Sequence, residues 1–410
     1  MSRVTDHTSH TTSTSLIVLI IMLVTVSTTA SYYAVNYSRG TGGSTTTPTS
    51  SGGGGGIGTS TTSSTIAGAS SNVTLGYDPN AVVYDSHNGY VYVVNSNVFG
   101  EASVSVLVGK SIIGNISIGR GDYSAGSSIA FNALSGDVYV ASQFTSSIAV
   151  ISGTSLLANI TLAQEPYSLI SDPKNGDIYT ANYGNNGAGN TVSVISGTKL
   201  NATITVGAGP AALVYNPSNG YVYVGNYGAS YLSVISGSQV IGKVTVPFGT
   251  YAMAYDPSNQ YVYLTNAQAG SKGNVTIVSN ETAVASIAGG IFPSALLYDP
   301  ADQYMYVIAS GAPGPQGIST VLAISGTKVV GNMTVGNDAQ GMAYDPDNQQ
   351  VYVALYGPNQ VAVISGTAVV ADLQAGEGPS GVAYDAADHA IYVVDYGFAA
   401  KGAVTVIPSS

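Results

Sequence analysis

The stretch YDPSNQYVYLTN, residues Tyr255–Asn266, recurs along the chain with small changes. It reads YNPSNGYVYVGN at Tyr215–Asn226 and YDPDNQQVYVAL at Tyr344–Leu355. Each copy places a Pro- and Asn-rich turn before a segment that alternates with period two. Pro presets the first turn dihedral, and Asn or Gly accepts the left-handed conformation that many turns require. The phrase therefore predicts a β-hairpin.

Two positions eight residues apart mark this hairpin in eight copies. The first position holds Tyr84, Phe131, Ser171, Tyr215, Tyr255, Tyr298, Tyr344 and Tyr384. The second position holds Tyr92, Tyr139, Tyr179, Tyr223, Tyr263, Tyr306, Tyr352 and Tyr392. Because the second position is Tyr in every copy, we expect this side chain to pack between neighbouring repeats with its hydroxyl hydrogen-bonded.

Two further strands complete each repeat, as in VSVI from Val192 and NATITVG from Asn201. A period of 40–47 residues with four strands per unit is typical of β-propeller blades. The last copy, 381–407, lacks a fourth strand, whereas NVTLG at Asn72–Gly76 stands alone before the first copy. We expect an all-β, eight-bladed β-propeller in which this N-terminal strand closes the last blade and removes two open sheet edges. Seven blades is the alternative if one unit is irregular.

Several short motifs resemble the YVTN family of β-propeller repeat proteins. They are YLTN at Tyr263–Asn266, YVGN at Tyr223–Asn226 and YTAN at Tyr179–Asn182, with VSVISGT and ITVG after them. The resemblance covers residues 72–407 and implies an exported or surface propeller with no defined reaction. The family is often described as seven-bladed, so the eight units depart from that pattern. Lactonase-like and quinoprotein enzymes share the propeller fold, so fold alone does not settle function.

The N-terminal part of the chain predicts export. We divide the chain into a short segment (1–15), an apolar segment (16–35), a Gly/Ser/Thr-rich linker (36–71) and the propeller (72–410). The apolar segment has about the 20 residues that a transmembrane helix needs. It predicts an uncleaved anchor with an extracellular propeller at the cell membrane, or a signal peptide cleaved near Ala30 and a secreted protein. The linker has no apolar period and predicts a flexible tether of roughly 30–36 Å.

Composition narrows the possible functions. The net charge is −11 and only 8% of residues are charged, against about 25% in an average soluble protein. A negative surface of this kind argues against nucleic-acid binding. The chain has no Cys and four scattered His, so we predict no metal site, no cofactor and no catalytic residue. Few ion pairs are available to lose on acidification, which suggests exposure to acid, although compositional drift in a secreted repeat protein gives the same pattern.

Loop lengths locate a candidate binding face. The loop between the second and third strands varies from copy to copy, and the loop between units is longer in the first copy. Strand direction places both loop types on one face, here called the elaborated face; the opposite face is the uniform face. The candidate binding residues of the elaborated face are the aromatic residues Phe99, Tyr183, Tyr227, Tyr356, Tyr396 and Phe398.

Aromatic rings beside Asn and Gly suit sugars or peptide segments, and variable loops on a rigid scaffold commonly bind ligands. We therefore predict a binding module for envelope proteins or glycans. The alternative for these tyrosines is that they only cap the core and bind no ligand. A structural, surface-layer-like envelope component and a lactonase-like hydrolase are the alternatives for the whole protein.

N-glycosylation sequons are frequent. They start at Asn36, Asn72, Asn115, Asn159, Asn201, Asn274, Asn280 and Asn332. Five of them fall at the beginning of a predicted fourth strand, the outermost strand of a blade, where a glycan would point into solvent. Asn and Thr two residues apart are also what an exposed strand edge requires, so the pattern has a structural explanation as well.

Overall fold

The computed structural model describes residues 19–23, 30–34, 71–97, 100–120, 125–267, 271–311, 317–397 and 401–409. Over these ranges the chain forms 34 β-strands and one short 3-10 helix, η1 (Asn185–Gly187). Eight sheets have four antiparallel strands each, and they are the blades of a propeller. The prediction of an all-β, eight-bladed propeller is confirmed, and the seven-bladed alternative is wrong.

Each blade contains an inner, a second, a third and an outer strand, in that order. Blade 1 consists of β4 (Pro79–Asp85), β5 (Tyr90–Asn95), β6 (Glu101–Val108) and β7 (Ser111–Arg120). Blade 2 consists of β8 (Ala125–Asn132), β9 (Asp137–Ser142), β10 (Ser147–Ser152) and β11 (Ser155–Thr161). Blade 3 consists of β12 (Ser168–Ser171), β13 (Ile178–Asn182), β14 (Thr191–Ser196) and β15 (Lys199–Thr205). Blade 4 consists of β16 (Pro210–Asn216), β17 (Tyr221–Asn226), β18 (Tyr231–Ser236) and β19 (Gln239–Thr245).

The second half of the ring repeats this order. Blade 5 consists of β20 (Thr250–Asp256), β21 (Tyr261–Asn266), β22 (Lys272–Ser279) and β23 (Thr282–Ile291). Blade 6 consists of β24 (Pro293–Asp299), β25 (Tyr304–Ala309), β26 (Ile318–Ser325) and β27 (Lys328–Asn337). Blade 7 consists of β28 (Ala339–Asp345), β29 (Gln350–Leu355), β30 (Gln360–Ser365) and β31 (Ala368–Gln374). Blade 8 consists of β32 (Pro379–Asp385), β33 (Ala390–Asp395), β34 (Ala403–Pro408) and β3 (Ser71–Thr74).

The N-terminal strand β3 closes the ring as the sequence predicts. It pairs antiparallel with β34, with Asn72 opposite Thr405 and Val73 opposite Val404. The inner strand of blade 8 contacts that of blade 1, so the first and last blades are neighbours. Closure leaves β34 without an open edge.

The turn in the repeated phrase has a local cause. The inner strand ends in Asp or Asn, or in blade 3 is followed directly by Asp172, and this side-chain oxygen accepts a hydrogen bond from the backbone N–H two residues later. Asp256 accepts from the N–H of Ser258 at 2.8 Å, and Asn216 from the N–H of Ser218 at 2.9 Å. The other six acceptors are Asp85, Asn132, Asp172, Asp299, Asp345 and Asp385. This side-chain bond fixes the turn in all eight blades.

The invariant tyrosine of the second strand joins each blade to the next. In six blades its hydroxyl donates a hydrogen bond to a Gly carbonyl in the turn between the third and outer strands of the following blade. The pairs are Tyr92–Gly153, Tyr139–Gly197, Tyr179–Gly237, Tyr263–Gly326, Tyr306–Gly366 and Tyr392–Gly109, at 2.6–3.0 Å. The six acceptor glycines have φ between 53° and 58°, a conformation that favours Gly. The prediction that these tyrosines pack between blades with bonded hydroxyls is confirmed.

The two remaining tyrosines face blades that lack this glycine turn. After Tyr223 comes blade 5, whose turn contains Asn280 and Glu281 instead of Gly. After Tyr352 comes blade 8, whose outer strand arrives from the N-terminus and so has no such turn. The hydroxyls of these two tyrosines accept hydrogen bonds from Asn219 at 3.1 Å and from Asn348 at 2.9 Å.

Part of the N-terminal segment is described as two strands, β1 (Leu19–Leu23) and β2 (Ala30–Ala34), which pair with each other and belong to no blade. Within the described ranges we find no helix that is both long and apolar enough to cross a bilayer. The remaining residues of the apolar segment (16–18, 24–29 and 35) and linker residues 36–70 lie outside the described residues. Ala30, near which cleavage is predicted, is the first residue of β2. Export and anchoring stay predictions.

The described sequon asparagines are all exposed. Asn115, Asn159 and Asn332 lie within their outer strands, because β7, β11 and β27 begin four residues before them. Asn201 is two residues inside β15, and Asn72 is the second residue of β3, close to the predicted position at the beginning of a strand. Asn274 is in the third strand of blade 5, and Asn280 is in the turn after it. Asn36 lies outside the described residues. Glycosylation stays a prediction that the geometry permits.

Candidate functional site

The elaborated face is built by two kinds of loop that bind each other through the backbone. The N–H of Tyr227, in the loop after a second strand, donates to the carbonyl of Gly209, in the loop between blades, at 2.7 Å. Tyr356 and Tyr396 donate in the same way to Asp338 and Gly378 at 3.0 Å. Both loop types therefore lie on one face, as strand direction predicts.

Six aromatic rings form a continuous row across this face from blade 3 to blade 6. This aromatic row consists of Tyr167, Tyr183, Tyr227, Phe248, Tyr251 and Phe292. The distances between ring centroids are 5.0 Å for Tyr167–Tyr183, 6.4 Å for Tyr183–Tyr227, 6.1 Å for Tyr227–Phe248, 6.4 Å for Tyr227–Tyr251 and 5.2 Å for Tyr251–Phe292. These separations are those of tilted and edge-to-face aromatic pairs, which stabilise one another.

Glycines make room for the first exposed ring of the row. Tyr183 follows the last residue of β13 and precedes η1, in which Gly187 has a φ of 80°. A Cβ at Gly187 would lie 2.9 Å from the Tyr183 hydroxyl, and one at Gly209 would lie 3.4 Å from the Tyr183 ring. Larger residues at Gly187 would displace the ring, so the loop sequence YGNNGAG fixes its position.

The row has a buried base and an exposed edge. Tyr167, Tyr251 and Phe292 are at most 3% exposed, whereas Tyr183 and Tyr227 are half-buried and Phe248 is 46% exposed. Burial raises the pKa of Tyr227, so its hydroxyl stays protonated at neutral pH. The exposed rings are thus held by rings beneath them and present a rigid, uncharged platform.

A second aromatic pair lies on blades 7 and 8. The rings of Tyr356 and Tyr396 are 6.4 Å apart, and both side chains are half-buried. Gly378, with a φ of 68°, lies under Tyr356: a Cβ there would be 2.9 Å from the ring. Burial raises the pKa of Asp338, whose carbonyl accepts the backbone bond of Tyr356.

The structure thus brings four of the six predicted binding residues together in two groups. Tyr183 and Tyr227 belong to the row, and Tyr356 and Tyr396 form the pair. Phe99 and Phe398 lie outside the described residues. Sequence reasoning missed the members of the row that come from the loops between blades or from the beginning of inner strands: Tyr167, Phe248, Tyr251 and Phe292. The sequence feature that these four residues share is a Gly or Pro one to three positions away, in or next to the loop between blades.

The axial channel opens as a cavity of about 500 Å³ between the inner strands of blades 1 to 6. Apolar residues such as Ile170 and Leu297 line it. The first aromatic position of the repeat borders it: Tyr84, Phe131, Tyr215, Tyr255 and Tyr298. Since these side chains end the inner strands, they lie towards the uniform face. The volume falls in the range of small-molecule pockets, and the side chains with polar groups in its lining are these tyrosines and Ser171.

One carboxyl is deeply buried beneath the elaborated face. Asp395 ends β33 where blades 1, 3, 4 and 5 have Asn, and it is 1% exposed. Its Oδ2 accepts from the Thr405 hydroxyl at 2.6 Å, and its Oδ1 accepts from the Gly376 N–H at 3.1 Å. Burial raises the pKa of Asp395 to about 7 despite these bonds.

A hydrolase of the lactonase-like kind would be marked by a carboxylate cluster at the channel mouth. In the described ranges no group of three or more His, Asp or Glu residues is placed to hold a metal ion. The exposed contact of Asp347 with Tyr384 (2.7 Å) and with His389 (2.8 Å) is a surface hydrogen-bond pair on the uniform face. These bonds lower the pKa of Asp347. The described residues therefore give the hydrolase alternative no support.

Neither a protein-family model nor a curated protein matches this sequence. Among solved structures, hydrazine synthase of Kuenenia stuttgartiensis aligns with a TM-score of 0.57 and 17% identity, over 70% of this chain and 96% of the other. The β-propeller domain of Cps50 (Swd1) from Myceliophteria thermophila aligns with a TM-score of 0.53 and 10% identity, over 83% and 99%. Virginiamycin B lyase from Staphylococcus aureus aligns with a TM-score of 0.50 and 12% identity, over 68% and 94%.

At these identities the similarity shows the β-propeller fold and nothing finer. The neighbours include enzymes of unlike chemistry, so no activity transfers from them to this chain. The resemblance to the YVTN family stays a prediction.

Proposed function

We propose that this protein is an extracytoplasmic, membrane-tethered recognition module that binds a neutral glycan of the cell envelope through the aromatic row. The observation that carries the proposal is the continuity of six rings across four blades on the face with the variable loops. The membrane tether is part of the proposal and is supported by the apolar segment 16–35 and the flexible linker 36–71.

The chemistry of the row favours sugars. The apolar faces of sugar rings stack on aromatic rings, which are large and rigid contact surfaces. Amide side chains supply hydrogen bonds to hydroxyl groups, and Asn185, Asn186 and Asn190 are exposed in the loop that carries Tyr183. No charged side chain belongs to the row, so an uncharged polymer fits better than an acidic or a basic one.

The test is a binding isotherm of the full chain with neutral envelope polysaccharides. Tyr183→Ala and Tyr227→Ala each remove one half-buried ring from the outer side of the row and are expected to weaken binding at least tenfold. Tyr227→Phe keeps the ring and is expected to retain most of the affinity. Tyr77→Ala is the matched control, because Tyr77 is 48% exposed on the same face but makes no ring contact with the row among the described residues.

Glycan binding that survives the double variant Tyr183→Ala/Tyr227→Ala would contradict the proposal. Binding of an envelope peptide, but of no glycan, that is lost in the same double variant would keep the site and change its ligand class. For the tether, the full-length protein is expected in the membrane fraction after alkaline washing. A soluble mature protein that begins near residue 31 would show that the segment is a cleaved signal peptide.

A further inference from the structure

The outer strands of blades 1 to 7 share an irregularity that the sequence pattern did not reveal. In blade 1, Val106 pairs with Gly114 and Leu107 pairs with Ile112, so Ile113 has no partner in β6. This is a β-bulge, and the same shift occurs in the other six blades. The bulged residues are Ile113, Leu157, Asn201, Ile241, Val284, Val330 and Val370. Bulges that recur at one position re-aim a side chain or end strand pairing.

Six of the seven bulged residues are aliphatic, and they are 44–51% exposed. The residue before the bulge is an exposed Ile, Leu or Val in five of the seven blades, including blade 3, whose bulged residue is Asn201. Together they form an outer belt, defined as Ile112, Ile113, Leu156, Leu157, Leu200, Val240, Ile241, Val284, Val329, Val330 and Val370. Single exposed aliphatic residues are ordinary, but eleven at one height around a ring are a patterned surface.

The belt has little electrostatic protection. β11 and β23 contain no charged residue, and the other five outer strands contain one each. Edge strands of soluble proteins are commonly guarded by charges against association. In β11 and β23 only the bulge guards the edge, and in all seven strands it opposes backbone pairing with another strand while leaving the aliphatic side chains accessible. Docking on the belt would therefore use side-chain contacts.

The position of the belt decides its occupant. Each outer strand begins after a turn on the uniform face, so the belt lies on the perimeter of the ring, a few residues above turns such as Gly109-Lys110. A bilayer under the uniform face would meet these polar turns before the belt. A partner of fixed shape would need one or two blades and not seven. A second ring with a parallel axis brings its own belt to the same height, whichever blades face each other.

We propose that the outer belt mediates lateral association between copies of this chain, with ring axes parallel, to form a layer of propellers. A rim-to-rim contact between two rings involves one or two blades on each side. We expect one or two blades to bury less than the roughly 1,200 Å² of a stable complex, so one contact alone should be weak. Several neighbours, or copies tethered in one plane, make the association cooperative. The elaborated face remains free, so this surface is independent of the proposed glycan site.

Because the chain has no Cys, single cysteines give unambiguous labels. The full chain is produced without glycosylation and reconstituted in liposomes at rising surface density, and in detergent at rising concentration. Leu157→Cys on the belt is expected to give dimers and larger species with a bismaleimide cross-linker, increasing with density. Phe248→Cys, 46% exposed on the elaborated face, is the matched control and is expected to give at least fivefold less product.

A second variant makes the belt more polar without altering the fold, by replacing five of its eleven residues with Asn. Asn201 shows that the bulge tolerates Asn, so the variant carries Ile113→Asn, Leu157→Asn, Ile241→Asn, Val330→Asn and Val370→Asn, none of which creates a sequon. Because position 157 is already changed to Asn, the cross-linking cysteine of this variant is Leu156→Cys. Cross-linking is expected to disappear while the melting temperature stays within a few degrees. Cross-linking that persists in this variant, or that is equal at Leu157→Cys and Phe248→Cys, would overturn the proposal. So would a lipid-induced blue shift of a fluorophore on Leu157→Cys at densities too low for contact, which would make the bilayer the occupant.

Discussion

The hydroxyl of Tyr392, in the last blade, lies 3.0 Å from the carbonyl oxygen of Gly109, in the first blade, and shares its one proton between this carbonyl and the carboxylate of Asp388, 2.5 Å away. Tyr392 and Gly109 are 283 positions apart in sequence. The same bond from Tyr to Gly joins five other pairs of adjacent blades. The last blade is therefore attached to the first by the contact that joins these neighbours along the chain. One repeated phrase thus specifies both the blade and its attachment to the next blade.

The contribution of this bond is measurable because the ring contains its own control. Tyr263 and Tyr223 each accept a hydrogen bond from the Asn four residues earlier at 3.1 Å, but only Tyr263 donates to a Gly carbonyl, at 2.7 Å. Tyr263→Phe leaves the Gly326 carbonyl without this donor. We expect it to lower the free energy of unfolding by about 1–2 kcal/mol more than Tyr223→Phe does. Urea denaturation of the two variants gives the difference, and equal losses would show that the bond between blades adds nothing.

Asp395 is expected to make the protein less stable at neutral pH than in mild acid. Its folded pKa of about 7 lies above the value of about 3.9 in an unfolded chain. Between these values the folded state binds more protons, so the free energy of unfolding falls as pH rises from about 4 to 7. The full shift corresponds to up to about 4 kcal/mol.

Asp395→Asn removes that dependence because an amide does not ionise, and the substitution fits because an Asn at this position donates to the third-strand hydroxyl. Asn182 does so in blade 3, to Ser193 at 2.9 Å. We expect Asp395→Asn to raise the melting temperature at pH 7.5 and to change it little at pH 4. A stabilisation of the same size at both pH values would contradict the assignment of the effect to the charge.

The whole propeller is expected to gain stability on mild acidification. Burial raises the pKa of four further carboxyls, those of Asp85, Asp299, Asp338 and Asp385. Each of these groups stabilises the fold below its unfolded pKa and loses that contribution as pH rises through its folded pKa. A melting temperature that is higher at pH 4 than at pH 7 would support the hypothesis of an acid-exposed surface. A steady fall between pH 7 and pH 4 would refute it.

Sequence periodicity was enough for the blade count, the closing strand and the tyrosine between blades, because these depend on local turn chemistry repeated eight times. It was not enough for the aromatic row. Tyr227 meets Tyr183 and Tyr251 only when blades 3, 4 and 5 stand side by side, so no spacing along the chain marks these contacts. The sequence did not predict the outer belt for a similar reason. Ile113 looks like one more apolar residue of a strand until the register shows that it is bulged.

Local environment also distinguishes residues that the pattern treats alike. Asp395 occupies a position that is Asn in several other blades. Unlike the Asn amide, its carboxyl can ionise. The sequence shows the substitution, but only the burial of the site shows that the charge is costly. Phe99 and Phe398, predicted from the same loops as Tyr183, remain predictions because they lie outside the described residues.

The closing strand β3 offers the sharpest test of the fold, because only part of the ring depends on it. Leu75, which follows it, is 4% exposed and packs with Val93, Tyr392 and Val404. Leu162 occupies the same position in blade 2 and is 5% exposed, but its strand is joined to β10 by a turn. Leu→Ala at either site is expected to cost about 2–5 kcal/mol.

The two variants should differ in local opening. β3 is held to β34 by four residue pairs and no connecting turn, so Leu75→Ala should release it before the ring unfolds. We expect hydrogen exchange of the β34 amides that face β3 to accelerate in Leu75→Ala, with blade 2 unchanged. Leu162→Ala should lower global stability while leaving β11 paired until the ring unfolds, because its turn limits how far the strand can separate. Equal exchange behaviour in the two blades would mean that the N-terminal strand is as firmly integrated as a covalently connected one.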